Sequence, residues 1–510
     1  MKSIQFRARL AIAACVILLS LGFVNRADAQ LGNISFPTSG APAAQPAFLE
    51  GVKDLHSFQF DEAAVAFQKA EQIDPNFAMA YWGEAMSHNH PLWSEVDVPG
   101  AKKALEKLAP TMEGRLAKAG TEKEKAYLEA QNQLFFEPGD KLARDNAYSQ
   151  AMAKMYDRWP ADNEVAIFYA LSLLGTVRPG DSGFRRQALA ASIAIKVYQE
   201  NPNHPGAAHM IIHSFDDPDH AILALPAARA YAKIAPSAAH ALHMPSHIFL
   251  RLGMWQDVVD SNTAAYQSAT NLIQRMHLPE GREDFHTLAW LEYGNMMLGR
   301  FDDAKKDLEL AREADKRNPT SRAVHQGYLV MRARYIMETA QWEKIPLEPP
   351  AAAPPGEGMD YARGADNGTW TFIAGLCAAK LKDLATTEKA SAQLGAMRER
   401  TAAGGNAFGA KQFEIMEKEL KSLLQFARGQ KDDAIHLAKE AADIDQTMEP
   451  PFGPPEPIKP ALELYGDVLM EAGRPKEAAA AYEQELLRTP NRTPTVKSLA
   501  RAKEMQAAKN

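Results

Sequence analysis

The sequence predicts an all-α fold, a solenoid of stacked helical hairpins, and three observations point to it. Apolar residues recur with a spacing near 3.6 through most of the chain, and no stretch alternates with period two. The pair His209-x3-His213 returns as His243-x3-His247, displaced by 34 residues. That is the period of the tetratricopeptide unit, two antiparallel helices that bury their apolar faces only against neighbouring units. Small residues and prolines also stand where such a unit needs them, with Gly51, Ala63 and Ala70 at helix crossings, Phe67 between them and Pro75 past the second helix. The expected architecture is therefore a tetratricopeptide-repeat superhelix.

Ahead of the array, basic Lys2, Arg7 and Arg9 precede an apolar run from Leu10 to Val24, followed by Ala27-Asp28-Ala29. This is the pattern of a secretory signal over residues 1–29, with cleavage after Ala29 and export to a periplasmic or extracellular space. The apolar run is short for a membrane span, so the mature chain is expected to have no transmembrane segment. Residues 30–45 read as a flexible lead-in, and 46–345 as the repeat array. A second unit begins at Ala78 with Tyr81 in its aromatic position. Pro160 and Pro202 close two more, and the histidine-bearing units fill 205–272. After an insertion holding Pro279-Glu280-Gly281, a further unit runs from Phe285 to Pro319. Residues 346–366, rich in proline, alanine and glycine, read as a linker. Residues 367–510 return to helices, with Tyr465-Gly466, Ala478, Tyr482 and Pro490 marking the clearest unit, while Pro450-Pro451-Phe452-Gly453-Pro454-Pro455 reads as an extended strap.

The formal net charge of −7, without a basic patch interleaved with aromatics, excludes a nucleic-acid partner. Of the two cysteines only Cys377 would survive cleavage, so no internal disulfide is available. Walker loops, dinucleotide glycine loops, Gly-x-Ser-x-Gly and His-Glu-x-x-His are all lacking.

Function is concentrated in the histidines, nine of the fourteen falling between His204 and His286. Residues four apart on a helix share a face, so His209/His213 and His243/His247 form two chelating pairs on adjacent repeats, expected to converge on one ion. Counted within their units, both pairs occupy the fifth and ninth places, while His240 and His286 each take the second place of a first helix. These two are additional ligands or supports, and Asp216 and Asp217 offer a carboxylate to the ion or to an imidazole. Such a donor set suits zinc, copper, nickel or ferrous iron, zinc and copper foremost, and Met210 and Met244 would favour cuprous copper. Pro245 between His243 and His247 must either kink the helix or begin it. His88 and His90, beside the helix-stopping Pro91, are secondary candidates. His204 reads as a cap or surface residue.

His-Asn-His-Pro-Leu-Trp (88–93), His-Pro-Gly-Ala-Ala-His (204–209), His-Met-Pro-Ser-His-Ile (243–248) and Pro-Pro-Phe-Gly-Pro-Pro (450–455) resemble those of a group of exported bacterial tetratricopeptide-repeat proteins. The resemblance implies fold and export, and no activity. Likeness to the repeat family in general implies that the histidine positions line the concave groove.

The function expected is an exported scaffold that binds a protein, peptide or small-molecule ligand in its groove and carries a histidine-rich transition-metal site. Two alternatives are a metal-dependent hydrolase, with Asp216, Asp217 or Asp284 as general base, and a metal storage or delivery protein. The signal reading predicts a mature N-terminus at Gln30. Intact-mass measurement of exported protein would refute it by showing residues 1–29 retained or Cys15 acylated.

Overall fold

In the first hairpin, helix Gln45–His56 turns back into helix Phe60–Ile73 through Phe58, which takes a left-handed backbone with φ of 52°. A Cβ on Gly51 would sit 2.8 Å from the Phe67 ring, and one on Gly83 of the following repeat would sit 2.2 Å from it. The glycines thus let the Phe67 ring fill the space between successive first helices, which is the physical content of the repeat signature.

The computed structural model describes residues 30–508 apart from 179–180, 182, 278–283 and 350–365. The expected signal segment therefore lies outside the described residues, as does most of the expected linker. Helical hairpins follow one another along the chain, each helix packing on its sequence neighbours. The architecture is the tetratricopeptide-type solenoid that the period implies. Among the described residues the only strands are Asn89–His90 and Glu95–Val96, an antiparallel pair around a short 3-10 turn at Pro91–Trp93. Helix was expected to end at Pro91, but helix Ala78–Met86 stops earlier, so His88 and His90 lie beyond it and Pro91 opens the turn of the hairpin.

The lead-in to the first helix differs from the flexible segment expected. Leu31 and Phe36 are 1% and 2% exposed, and Phe36 packs on Phe48, Trp82 and Tyr127. Three aromatic partners give this irregular stretch the burial that ordering needs. No described helix is long and apolar enough to cross a membrane.

Two long-range closures position the histidine repeats. On one side, the first helix meets helix Pro205–Ser214, with the carbonyl of His56 accepting from His209. On the other, the Trp255 indole donates to the carbonyl of Asn491 at 2.8 Å. The fully buried Arg492 donates to Tyr293 at 3.0 Å and to Glu463 at 2.8 Å, with Glu338 2.8 Å away. A guanidinium shared by two carboxylates and a phenol leaves no buried charge unpaired, and it ties helices Phe285–Met297, Arg322–Thr339 and Ala461–Glu471 together.

One buried acid makes the array pH-sensitive. Burial raises the pKa of Asp307 from its usual value to about 7, although Asn295 donates to it at 2.8 Å. A carboxyl whose folded pKa is raised contributes its full stability below the unfolded value, near 4, and loses it as pH rises through about 7. Asp307→Asn is therefore expected to stabilise the protein at pH 8 by on the order of 1–2 kcal/mol relative to wild type, and to be near neutral or destabilising at pH 4. Thermal melts at the two pH values test this, and a pH-independent difference would contradict it.

Candidate metal centre

Helix Pro205–Ser214 starts at a proline in its first turn, capped by His204, and carries His209 and His213 one turn apart. In the next repeat, helix Ala239–His243 is followed by helix Pro245–Arg251, with Met244 between them at φ −52° and ψ −36°. Pro245 is thus the first residue of a new helix whose path continues the old one, because Met244 keeps helical angles. His243 and His247 stay aligned across the break, their Nε2 atoms 3.1 Å apart.

The six histidines separate into two triads. His240 joins His209 and His213, with Nε2 of His240 and His209 3.1 Å apart. His286, first-turn residue of helix Phe285–Met297, joins His243 and His247, its Nε2 lying 3.0 Å from that of His243. Within each triad one nitrogen per ring lies within 4.8 Å of the other two. Each triad is therefore the fifth and ninth residues of one unit plus the second residue of the next. A single four-histidine site from the two pairs is not what the fold assembles. The triads adjoin, with ring centroids of His213 and His247 6.1 Å apart and those of His240 and His243 6.2 Å apart.

Hydrogen bonds on the far side of the rings fix which nitrogen faces inward. His209 donates through Nδ1 to the carbonyl of His56 at 2.6 Å. His243 donates through Nδ1 to Asn262 Oδ1 at 2.6 Å, while the Asn262 amide donates to the carbonyl of Val258, fixing its orientation. His247 donates through Nδ1 to Asp216 Oδ2 at 2.7 Å. His209 and His243 are held neutral by burial, and a neutral imidazole has one N–H, so in these two rings Nε2 carries a lone pair. His240 and His286 can each donate one proton inward, to His209 and to His243, and Nε2 of His243 also lies 3.1 Å from that of His247. His213 Nε2 is buried and without a hydrogen-bond partner.

Burial pushes His209 down to about 3 and holds His213 and His243 well below the ordinary imidazole range, so these rings stay neutral at physiological pH. Aromatic side chains wall the triads. Phe58 lies 4.3 Å from His209 and 5.2 Å from His240, and Trp290 lies 4.4 Å from His247 and 5.1 Å from His243. His209 and His243 are 0% and 2% exposed. The groove-lining positions implied by family likeness are in this chain interior positions, with exposed His286 at the rim.

Asp216 is held ionised against the cost of its own burial, which the Arg251 guanidinium and His247 outweigh. Arg251 Nε donates to Asp216 at 2.9 Å and its outer nitrogen to the carbonyl of Pro451 at 2.7 Å. The proline strap thus reaches the centre through Arg251. It also lies on Trp290, since a Cβ on Gly453 would stand 2.8 Å from that indole.

The remaining candidates go elsewhere. Asp217 accepts from His220 at 2.8 Å, and Asp284 caps its own helix by accepting from Thr287. His90 stacks on Phe60 with centroids 4.1 Å apart, and His88 pairs with Asp97, so neither joins a triad. Their neighbour Trp93, however, packs 6.2 Å from His240.

Sequence reasoning missed a third group, His56, Glu164 and His204, all buried. His56 donates to Glu164 at 2.7 Å and His204 to its other oxygen at 3.1 Å, while the backbone amide of Ala207 donates to His204 Nδ1 at 3.3 Å. His204 is thus a cap, as expected, yet a buried one. A carboxylate that already accepts two N–H bonds is satisfied, so this group is a brace that fixes the His56 carbonyl on His209. Arg251 and Asn262 were also missed. Their partners are distant in sequence or lie on another helix, and no local pattern marks them.

No protein-family model matches the sequence, and no curated protein matches it. Among solved structures, the chain is similar to the P58(IPK) TPR domain at 12% identity, covering 92% of this chain and 99% of that one with a TM-score of 0.21. It is similar to yeast Tom70 at 11% identity, covering 92% and 96% with a TM-score of 0.32. Human IFIT1 gives 14% identity, 88% and 91% coverage and a TM-score of 0.31. Superpositions this loose add nothing to the architecture read from the helices themselves.

Proposed function

We propose that this chain is an exported helical-repeat scaffold that holds a transition metal, zinc or copper, through His209, His213, His240, His243, His247 and His286. A protein, peptide or small-molecule partner would then bind the array around that centre. The carrying observation is the gathering of these imidazoles into two triads, in each of which one nitrogen per ring lies within 4.8 Å of the other two, with Nε2 of His243 and His247 3.1 Å apart. Facing imidazole nitrogens in a largely buried site need a cation between them, a proton or a metal ion. Nitrogens bound to one ion at about 2.0–2.1 Å stand roughly 3.0–3.4 Å apart, so the observed spacing is that of a coordination shell.

The supporting groups fit the same reading. Ligating imidazoles ordinarily donate their other N–H to a carboxylate or carbonyl, which fixes the tautomer and raises basicity. His56, Asn262 and Asp216 supply those acceptors here. Export rests on the N-terminal pattern and on the resemblance to exported repeat proteins. The three aspartates named as general base for the hydrolase alternative, Asp216, Asp217 and Asp284, each have another partner in the fold.

Calorimetric titration of metal-stripped, tag-free protein with zinc(II) or copper(II) is the test. The double variant H213A/H247A is expected to lose most of its affinity, whereas H325A, whose ring pairs with Asp315 away from the centre, keeps it. Asp216→Asn should weaken binding roughly tenfold to a hundredfold, because it removes the carboxylate behind His247. Circular dichroism confirms that each variant is folded. Equal affinities for folded wild type and folded H213A/H247A would remove the metal reading and leave a scaffold alone.

A further inference from the structure

The geometry points to two metal ions in one dinuclear centre, each held by three histidines, with a small oxygen ligand bridging them. This deepens the metal reading above and rests on it.

The unit of the centre is a pattern repeated across three successive repeats. His209 and His213 on one first helix are completed by His240 from the next repeat, and His243 and His247 are completed by His286 from the repeat after that. The same three places, fifth and ninth of one unit and second of its successor, generate both triads. Each triad has its own close nitrogen contact, at 3.1 Å for His209 and His240 and at 3.0–3.1 Å from His243 to His286 and His247. Neither triad borrows a ligand from the other.

The triads are neighbours because adjacent first helices pack side by side. His213 of the first lies 6.1 Å from His247 of the second between ring centroids, and His240 of the first lies 6.2 Å from His243. The rings that meet across the boundary belong to different triads, so the two ions would face each other over a short gap. Two-metal sites hold their ions about 3.5–4 Å apart with an oxygen bridging them. Three imidazoles leave a fourth position open on each ion. Those two open positions are where a bridging water binds, passing one proton to solvent and remaining as hydroxide.

The orphan Nε2 of His213 supports this assignment independently of His243 and His247, since the first triad then also contains a buried ring nitrogen with no hydrogen-bond partner. All six donors are imidazoles with no carboxylate among them, a set that suits copper and zinc and disfavours magnesium and calcium. Among the described residues, the exposed side chains beside the triads are His286 and Trp93, at the rim. That favours a small ligand over a peptide in the bridging position.

The probe is copper(II) added to the metal-stripped full-length mature protein, with elemental analysis after desalting and quantitative electron paramagnetic resonance. Wild type is expected to retain two copper ions per chain with an integrated signal far below two spins, because a hydroxide bridge couples them antiferromagnetically. His240→Ala and His286→Ala, at half-buried and exposed positions where folding tolerates change, should each retain one ion and show nearly one full spin. The control H325A should behave as wild type. One ion in wild type would overturn the dinuclear assignment while leaving the metal reading in place, and no ion would overturn both. Two ions with two full spins would place the metals but remove the bridge.

Discussion

The contact between Nε2 of His243 and Nε2 of His247 is the constraint around which this part of the array is organised. Two imidazole nitrogens at 3.1 Å with nothing between them would relax by rotating one ring or exchanging a tautomer. Neither path is open. Asn262 holds one ring through Nδ1 and Asp216 the other, and each of these holders is itself held, by Val258 and by Arg251. The arrangement extends to the proline strap, whose Pro451 carbonyl anchors Arg251, so residues 200 apart in sequence serve one imidazole. Buried polar networks of this kind are costly unless every member is satisfied. Here the inward nitrogens have only one another as partners, and Nε2 of His213 has none, which is where a cation would satisfy them.

The solenoid explains how so many donors reach one place. A globular fold must bring ligands together from unrelated loops, whereas stacked repeats put equivalent positions of successive first helices side by side, at the roughly 8–10 Å spacing of packed helices. One residue pattern, copied once, therefore creates a second triad next to the first. The array adds two features a simple stack would not. The first repeat supplies the His56 carbonyl to His209, and the C-terminal repeats supply the strap and the Arg492 cluster behind helix Phe285–Met297. The histidine repeats are held from both sides, and a rigid frame keeps imidazoles within the few tenths of an ångström that coordination demands.

Much of this was legible in the sequence, for identifiable reasons. The 34-residue return of His-x3-His, with glycine and alanine at the crossings, gave the fold because repeats write their contacts into local spacing. The positions of His240 and His286 in their units were visible too, yet their role as the third member of each triad depends on which helices adjoin. Spacing alone suggested that two pairs share one ion, and the neighbouring helix resolves them into two sets of three. Pro245 suggested a misaligned pair, and alignment survives because Met244 keeps helical angles on its N-terminal side. The brace of His56, Glu164 and His204 was illegible, since its members are separated by up to 148 residues and join only when the array curves back on itself. Burial of the triads was equally hidden. Likeness to the repeat family put these positions in an open groove, while Phe58 and Trp290 close over them in this chain.

The committed carboxylates bear on the chemistry such a centre can perform. A carboxylate acts as general base only where it is free to take a proton from the attacking water, and a metal-bound hydroxide dispenses with one. Asp216 is the acid closest to the triads, and it spends one oxygen on His247 and the other on Arg251, which keep it ionised and hydrogen-bonded. Its influence therefore passes through His247, by making that imidazole a stronger donor, and stops short of direct proton transfer. Asp217 and Asp284 satisfy His220 and a helix terminus. What remains inside the wall of Phe58 and Trp290 is nitrogen donors alone, so reactivity at this position would come from the bound ions and from whatever small ligand spans them. The repeat scaffold's share is to keep six imidazoles oriented and close.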